Sequence, residues 1–313
     1  MSVLPTDSLA TPRFCGVPTF MRLPQATSLE GLDAAIIGLP SDSGAPFRTG
    51  ARFAPNAVRA MSIMLRPINP YRGGINVFER LRVADAGDAA VVPGYLEETL
   101  AQIETAVRAL AQAGLTPFGI GGDHSVTLAE LRAVAATHGP LALIQFDSHS
   151  DTWDSYFAGK KYSAGTPFRR GVEEGIIDPS HSIQIGMRGS LFAPDDVSQS
   201  LDLGYEVVTT DAMFEMGLPT LAQRIAARTA GRPAFLTFDL DFVDPAAAPG
   251  VQTPESGGPN ARETLALLRA LKEINLVGAD VVELSPGFDQ PSQITALLAA
   301  TVMAELIALR ADR

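Results

Sequence analysis

A chain of 313 residues, 46% of them hydrophobic, can bury a sizeable core as one large α/β domain or two small ones. Acidic side chains outnumber basic ones 35 to 24, and the formal charge of −11 argues against nucleic acid or an anionic membrane as a partner. The single cysteine, Cys15, excludes an intrachain disulfide and fits a reducing cytosol. No apolar run approaches the ~20 residues of a bilayer span, and the first 13 residues lack the charged start and apolar centre of a signal peptide. The expectation is a soluble cytoplasmic protein.

Residues 1–30 are rich in Pro and Thr, show no period, and read as an arm lying on a surface. Residues 31–313 then alternate strands with helices. Apolar, β-rich runs stand at residues 34–38, 117–120, 141–146, 182–186, 234–238 and 277–282. Most are apolar throughout, the pattern of strands covered on both faces. A helix is expected over 95–113, with Leu96, Leu100, Ile103, Val107 and Leu110 along one face, and another over 126–136, capped by Ser125. Asn260 and Glu263 form a capping-box pattern for a helix running to 271, and the last helix spans 293–310. This alternation implies right-handed crossovers and a mainly parallel sheet between helical layers, with any ligand site beyond the carboxyl ends of the strands. No repeat, low-complexity tract or linker divides the chain, so a single domain is expected.

Polar residues gather where three of the apolar runs end. Asp147-Ser148-His149-Ser150-Asp151 follows the run at 141–146, Asp239-Leu240-Asp241 follows 234–238, and His124 in Gly121-Gly122-Asp123-His124-Ser125 follows 116–120. Strand alternation should turn 147, 149 and 151 to one side, and 239 and 241 likewise. Such groups at buried strand ends are costly unless a cation lies between them. Four carboxylates and two imidazoles suit a pair of divalent cations, and a metal pair usually means water activation. Each cluster alone is a weak signal. Asp-x-His-x-Asp also describes a solvated turn, Asp239 and Asp241 stand just ahead of the turn-forming Asp244-Pro245, and His124 alone reads equally as a satisfied loop histidine. The joint argument is that all three fall at the sheet edge that the topology reserves for ligands. His138 and His181 are expected at the surface, which leaves too few histidines for a His-rich zinc site. Glu283 closes a further apolar strand and also needs a cation. A substrate guanidinium would serve through a bidentate pair, with an internal arginine as the alternative partner.

Together these strings resemble the ureohydrolases: arginase, agmatinase and the guanidino-acid amidinohydrolases. The resemblance rests on Gly121-Gly122-Asp123-His124-Ser125, on Phe146-Asp147-Ser148-His149-Ser150-Asp151-Thr152, and on Phe238-Asp239-Leu240-Asp241-Phe242-Val243-Asp244-Pro245. It continues through Ala248-Pro249-Gly250, Thr253-Pro254-Glu255 and Gly257-Gly258 to Glu283. It implies a three-layer α/β/α domain with a mainly parallel sheet of about eight strands. It also implies two divalent metal ions per subunit, usually manganese, with nickel as an alternative. By position, His124, Asp147, Asp151 and Asp239 would hold one ion or bridge the two, and His149 and Asp241 would complete the other. The family's metal-activated hydroxide attacks the guanidinium carbon, and urea and an amine leave. Asp151 would also hydrogen-bond the hydroxide, and Glu283 would orient the guanidinium. The family's usual trimers or hexamers imply a homo-oligomer, with a hetero-oligomer as the alternative.

Two departures from the family pattern stand out. Ser148 replaces the usual alanine, a mild change expected to leave the ligands alone. Ala164, in Ala164-Gly165-Thr166-Pro167-Phe168, stands where the family normally has a histidine thought to pass a proton to the leaving amine. Loss of a general acid costs roughly a hundredfold or more in rate unless something replaces it. Either alanine makes room for a bulkier substrate, or water or Asp151 carries the proton, or the chain is a degenerate member. The surroundings look most like guanidinobutyrase. Trp153 and Tyr156 form either an aromatic wall over the substrate or a packing surface for another subunit. Arg188 either meets a substrate carboxylate or supports a loop. Arg169 and Arg170 are expected to be solvated or to pair between subunits. The leading expectation is hydrolysis of a guanidino acid such as 4-guanidinobutanoate. The alternatives are guanidine, an alkylguanidine or a biguanide such as metformin, or a non-catalytic metal-binding subunit. A zinc deacetylase of related fold would be expected to show adjacent histidines, and this chain has none.

Overall fold

Four strands that lie side by side in the middle of the sheet end in the polar strings described above. The computed structural model describes residues 4–312. The strands are β1 Ala34–Gly38, β2 Ile68–Asn69, β3 Ile75–Asn76, β4 Val83–Asp88, β5 Thr116–Ile120, β6 Ala142–Phe146, β7 Ile183–Met187, β8 Glu206–Thr209, β9 Pro233–Asp239 and β10 Asn275–Val282. The short β2 and β3 pair with each other, and the rest form one sheet in the order β4-β1-β5-β10-β9-β6-β7-β8. Every pairing in that sheet is parallel. The α-helices are α1 Ala54–Ser62, α2 Val77–Arg80, α3 Leu96–Gln112, α4 Val126–His138, α5 Pro167–Glu173, α6 Ser198–Asp202, α7 Thr210–Met216, α8 Leu218–Thr229, α9 Ala261–Ala270 and α10 Ile294–Ala311.

Alternation along each strand feeds two cores. Ile36, Ile144 and Leu236 join Val58 of α1, Leu221 of α8, Leu267 of α9 and Leu306 of α10 on one face. Ala35, Leu143 and Phe235 join Ile103 of α3, Leu131 of α4 and Phe168 of α5 on the other. Burial on both faces explains why the central strands read as unbroken apolar runs. The sequence reading missed β4 and β8, the two edge strands. Both are short or part-polar, as edges that must resist further pairing tend to be.

Several local expectations are corrected. Ser125 does not cap α4: its backbone is already helical, and its hydroxyl turns to Asp123. Asn260 and Glu263 do form a reciprocal capping box on α9. The N-terminal arm is not confined to a surface, because Phe20 and Leu23 are buried and the Phe20 amide donates to Asp85 Oδ2 at 2.8 Å. Arg170 is buried and pairs within the chain with Asp154 and Glu173, each at 2.9 Å, while Arg169 donates to the Thr152 carbonyl. His138 is exposed as expected, and His181 is half-buried against Asp178. By length and composition α10 could cross a membrane, contrary to the expectation from apolar runs, but 72% of its 18 residues are buried inside the protein. It is apolar all round because it packs in the core.

Candidate active site and metal centre

Register brings the site together. Ile120 pairs with Val281, Val281 with Phe238, and Phe238 with Phe146, so β5, β10, β9 and β6 finish in one row. The residues just beyond that row are His124, Glu283, Asp239 and Asp147. This is the crevice at the carboxyl edge where open α/β sheets bind ligands. The loops there close tightly on each other. A Cβ on Gly122 would stand 1.7 Å from the Ser41 carbonyl oxygen, so only glycine fits.

All six expected metal ligands converge. His124, Asp147 and Asp239 offer ligand atoms within 4.8 Å of one another, and so do Asp147, His149 and Asp241. Asp147 belongs to both groups. His124 Nδ1 lies 3.0 Å from Asp147, 2.9 Å from Asp151 and 3.2 Å from Asp239. His149 Nδ1 lies 3.0 Å from Asp241. The convergence does not come from strand alternation. β6 stops at Phe146, and Asp151 sits in a loop at φ +52°; Asp239 ends β9, and Asp241 lies in the 3-10 turn Leu240–Phe242. A left-handed backbone at Asp151, and again at Glu283 (φ +69°), costs about 1–3 kcal/mol each and is tolerated where function requires the side chain's direction.

The ligands are held from behind. Gln145 Nε2 donates to Asp147 Oδ2 at 2.7 Å, and Gln184 Nε2 donates to Gln145 Oε1 at 2.5 Å. Thr237 Oγ1 contacts His124 Nε2 at 2.8 Å, which leaves Nδ1 facing the carboxylates. Ser148 does more than leave the ligands undisturbed: its amide and hydroxyl both donate to Asp241 Oδ1, at 3.0 and 2.7 Å. The reading of the sequence missed Gln145, Gln184 and Thr237. Their signal was a polar side chain inside an otherwise apolar, buried strand.

The electrostatics are those of anions crowded away from water. Burial, then the neighbouring Asp147, pushes Asp151 up to about 7. Burial, then Asp241 and Asp147, raises Asp239 well above the usual carboxylate range. Burial opposes charge on His124 and His149, but the surrounding carboxylates outweigh it and raise both. Burial also opposes charge on Asp147, but His124 and His149 hold its carboxyl low. His124 Nδ1 makes no acceptable hydrogen bond although it is fully buried. A divalent cation would answer both the crowding and the orphaned nitrogen, and the oxygen and imidazole donors suit it. The residues therefore fit a two-ion centre.

Glu283 stands beside the ligands with Oε1 accepting from the His124 amide at 2.6 Å and Oε2 accepting from Gln252 Nε2 at 2.5 Å. Burial, then Asp123, raises its pKa. No arginine of the described residues pairs with it, so the internal-partner alternative lapses. Above the centre opens a cavity of about 1060 Å³ whose lining includes Trp153, Tyr156, Ala164, Arg188, Gln252 and Glu283. Trp153 lies close against Gly165, where a Cβ would stand 2.6 Å from its ring, and its ring centroid is 5.1 Å from that of Tyr156. Ala164 is buried in the same wall. Each nitrogen of Arg188 donates to backbone carbonyls, those of Gly186, Asp241, Phe242, Glu255 and Ser256, so its guanidinium ties these loops together.

The family model described as the arginase family matches residues 32–308. The chain belongs to the arginase family of ureohydrolases. It is 44% identical to the guanidinopropionase of Pseudomonas aeruginosa, over 98% of this chain and 96% of that one. The structure of proclavaminate amidino hydrolase from Streptomyces clavuligerus superposes with a TM-score of 0.92 at 41% identity, covering 96% of this chain and 99% of the other. That of Trypanosoma cruzi formiminoglutamase with Mn2+ gives 0.84 at 25% identity, covering 95% and 100%. In this chain His124, Asp147, His149, Asp151, Asp239 and Asp241 stand together at the sheet edge, and alanine stands at 164 in the cavity lining.

Proposed function

We propose that the protein is an amidinohydrolase that releases urea from a guanidino compound. The observation that carries this is Glu283, a buried carboxylate without a cationic partner among the described residues, set beside two overlapping ligand groups that share Asp147. His124, Asp147, Asp151, Asp239, His149 and Asp241 would hold two divalent cations, with manganese the first choice, as in the structure of the trypanosomal relative. Bound there, the ions supply an activated water at neutral pH. Glu283 pairs with the guanidinium and turns its carbon toward the ligand cluster. Asp151 lines the cavity, where its carboxylate is placed to hydrogen-bond the attacking water. Trp153 and Tyr156 screen the guanidinium from solvent.

Within that class we place a short guanidino acid first, because guanidinopropionase is so similar over the whole chain. A second reading, a guanidine without a carboxylate, is favoured by one observation. Arg188, the only arginine or lysine in the cavity wall among the described residues, is already tied to backbone carbonyls. The test is urea release by the purified, metal-loaded protein from 3-guanidinopropanoate, 4-guanidinobutanoate, butylguanidine and N,N-dimethylguanidine. Highest kcat/KM on a guanidino acid supports the first reading, highest on an uncharged tail the second, and no urea from any of them sinks the proposal. Gel filtration with light scattering would test the expected homo-oligomer.

A further inference from the structure

Gln252 lies on the loop after β9 and is 1% exposed. Two backbone contacts bind this loop to the segment after β10: Val251 bridges Leu284, and the Ser285 amide donates to the Gly250 carbonyl at 2.8 Å. They lay the Gln252 side chain against Glu283. Its Nε2 donates to Glu283 Oε2 at 2.5 Å, and this fixes which way the amide faces, since the flipped amide would set two oxygens against each other. Gln252 Oε1 is then a buried acceptor with no hydrogen-bond partner among the described residues. A carbonyl in that state is costly, and native proteins rarely leave one so. Both Gln252 and Glu283 line the cavity, so an incoming ligand is the available source of a donor.

We infer that Gln252 Oε1 accepts an N–H of the substrate's guanidinium while Glu283 takes the neighbouring N–H groups, making Gln252 a specificity-determining residue. A guanidinium fits this pair because its donors fan out in one plane and reach two acceptor groups at once, whereas an ammonium is a compact point charge. Glu283 alone would attract either cation. The neutral oxygen beside it adds a preference for the planar, many-donor one without adding a second buried charge. The inference rests on the amidinohydrolase reading for its substrate, though not for its binding test.

The test compares two cations with the same tail, butylguanidinium and butylammonium, as competitors of the hydrolysis of a second guanidine by the metal-loaded protein, read as that second guanidine's own amine product. Gln252→Met removes the acceptor at similar length. It should weaken butylguanidinium about ten- to a hundredfold, the worth of one hydrogen bond to a charged group. Butylammonium should change by less than about threefold, the scatter expected of a contact that is not made. Gln252→Asn draws the oxygen back by one methylene and should show the same selective loss; it decides the matter if the methionine variant folds poorly or loses metal. A parallel loss for both cations would mean that Gln252 only steadies Glu283, and no loss would mean that it is silent. Either result overturns the inference. If the wild type releases urea from no guanidine, the amidinohydrolase reading fails, and calorimetric titration with the same two cations then tests Gln252 by itself.

Discussion

His124 Nδ1 stands 2.9 Å from Asp151 Oδ2, yet the nitrogen makes no acceptable hydrogen bond. A cation held by both side chains would relieve this close, unbonded contact. Replacing Asp147, which serves both ligand groups, should therefore cost more than replacing a residue of one group. Asp147→Asn is expected to lower metal affinity at least about a hundredfold and by more than Asp239→Asn does, each with loss of urea release. Gln145→Leu, which removes the donor behind Asp147, should lower it by ~10–100-fold. Metal content after dialysis, measured by mass spectrometry, checks all three. Full metal occupancy in Asp147→Asn would refute the shared-ligand reading.

The same crowding sets a pH dependence. In the metal-free fold Asp151 holds its proton up to about 7, whereas an ordinary carboxyl loses it near 3.8. Between those values the folded state binds more protons than the unfolded one, so stability falls as pH rises. Asp239, also raised, has the same sign. So do His124 and His149: their stabilising charge is complete below their ordinary pKa and is lost as pH climbs through the raised one. A divalent cation reverses the balance because it needs the deprotonated ligands. The Tm of metal-free protein should fall from about pH 5 to about pH 8, and the gain in Tm on adding manganese should grow over the same range. A gain that shrinks with rising pH would contradict this assignment.

Glu283 carries a separable task. Its two oxygens are anchored by the His124 amide and by Gln252, and it belongs to neither ligand group. Glu283→Gln should leave metal content intact while lowering kcat/KM by about a hundredfold or more, the loss expected when a buried charge loses its charged partner. Metal loss equal to the loss of activity would place Glu283 among the ligands instead.

Much of this centre was legible from residue type and position. His124, Asp147 and Asp239 follow runs apolar enough to be central strands, and parallel topology sends the ends of such strands to one edge. What could not be read was how the loops finish the job. Strand alternation was the wrong reason for grouping Asp147 with Asp151, since the chain turns left-handed at Asp151. Gln252 carries no periodic signal at all, because its partner Glu283 lies 31 residues away and only the Val251–Leu284 bridge brings the two together. The edge strands β4 and β8 escaped because an edge is protected by the polar and short segments that hide it from pattern reading.

Arg188 decides between packing and recognition. Its guanidinium holds carbonyls from three separate segments, around Gly186, around Phe242 and around Glu255. Arg188→Lys keeps the charge but cannot reproduce the planar fork, so it should lower Tm by several degrees, in line with ~1–3 kcal/mol for stranded buried carbonyls. KM for 4-guanidinobutanoate and for butylguanidine should rise or stay together. A rise confined to the carboxylate would show that Arg188 reaches the substrate tail after all.

Ala164 is buried in the cavity wall that Trp153 and Tyr156 also line, and its side chain has no proton to give. If the amine leaves with help from water or Asp151, a histidine introduced at 164 offers a second route. General acid catalysis is worth ~10²–10⁴-fold where geometry is right. Ala164→His should therefore raise kcat on 4-guanidinobutanoate and give its pH profile a new limb near the imidazole pKa. The added ring also fills space in the cavity, so activity on N,N-dimethylguanidine should fall in the same variant. Opposite movements of the two substrates would identify position 164 as the point where proton supply and room for an alkylated nitrogen compete. Unchanged rates on both would mean that the wall at Ala164 touches neither the leaving group nor the substrate.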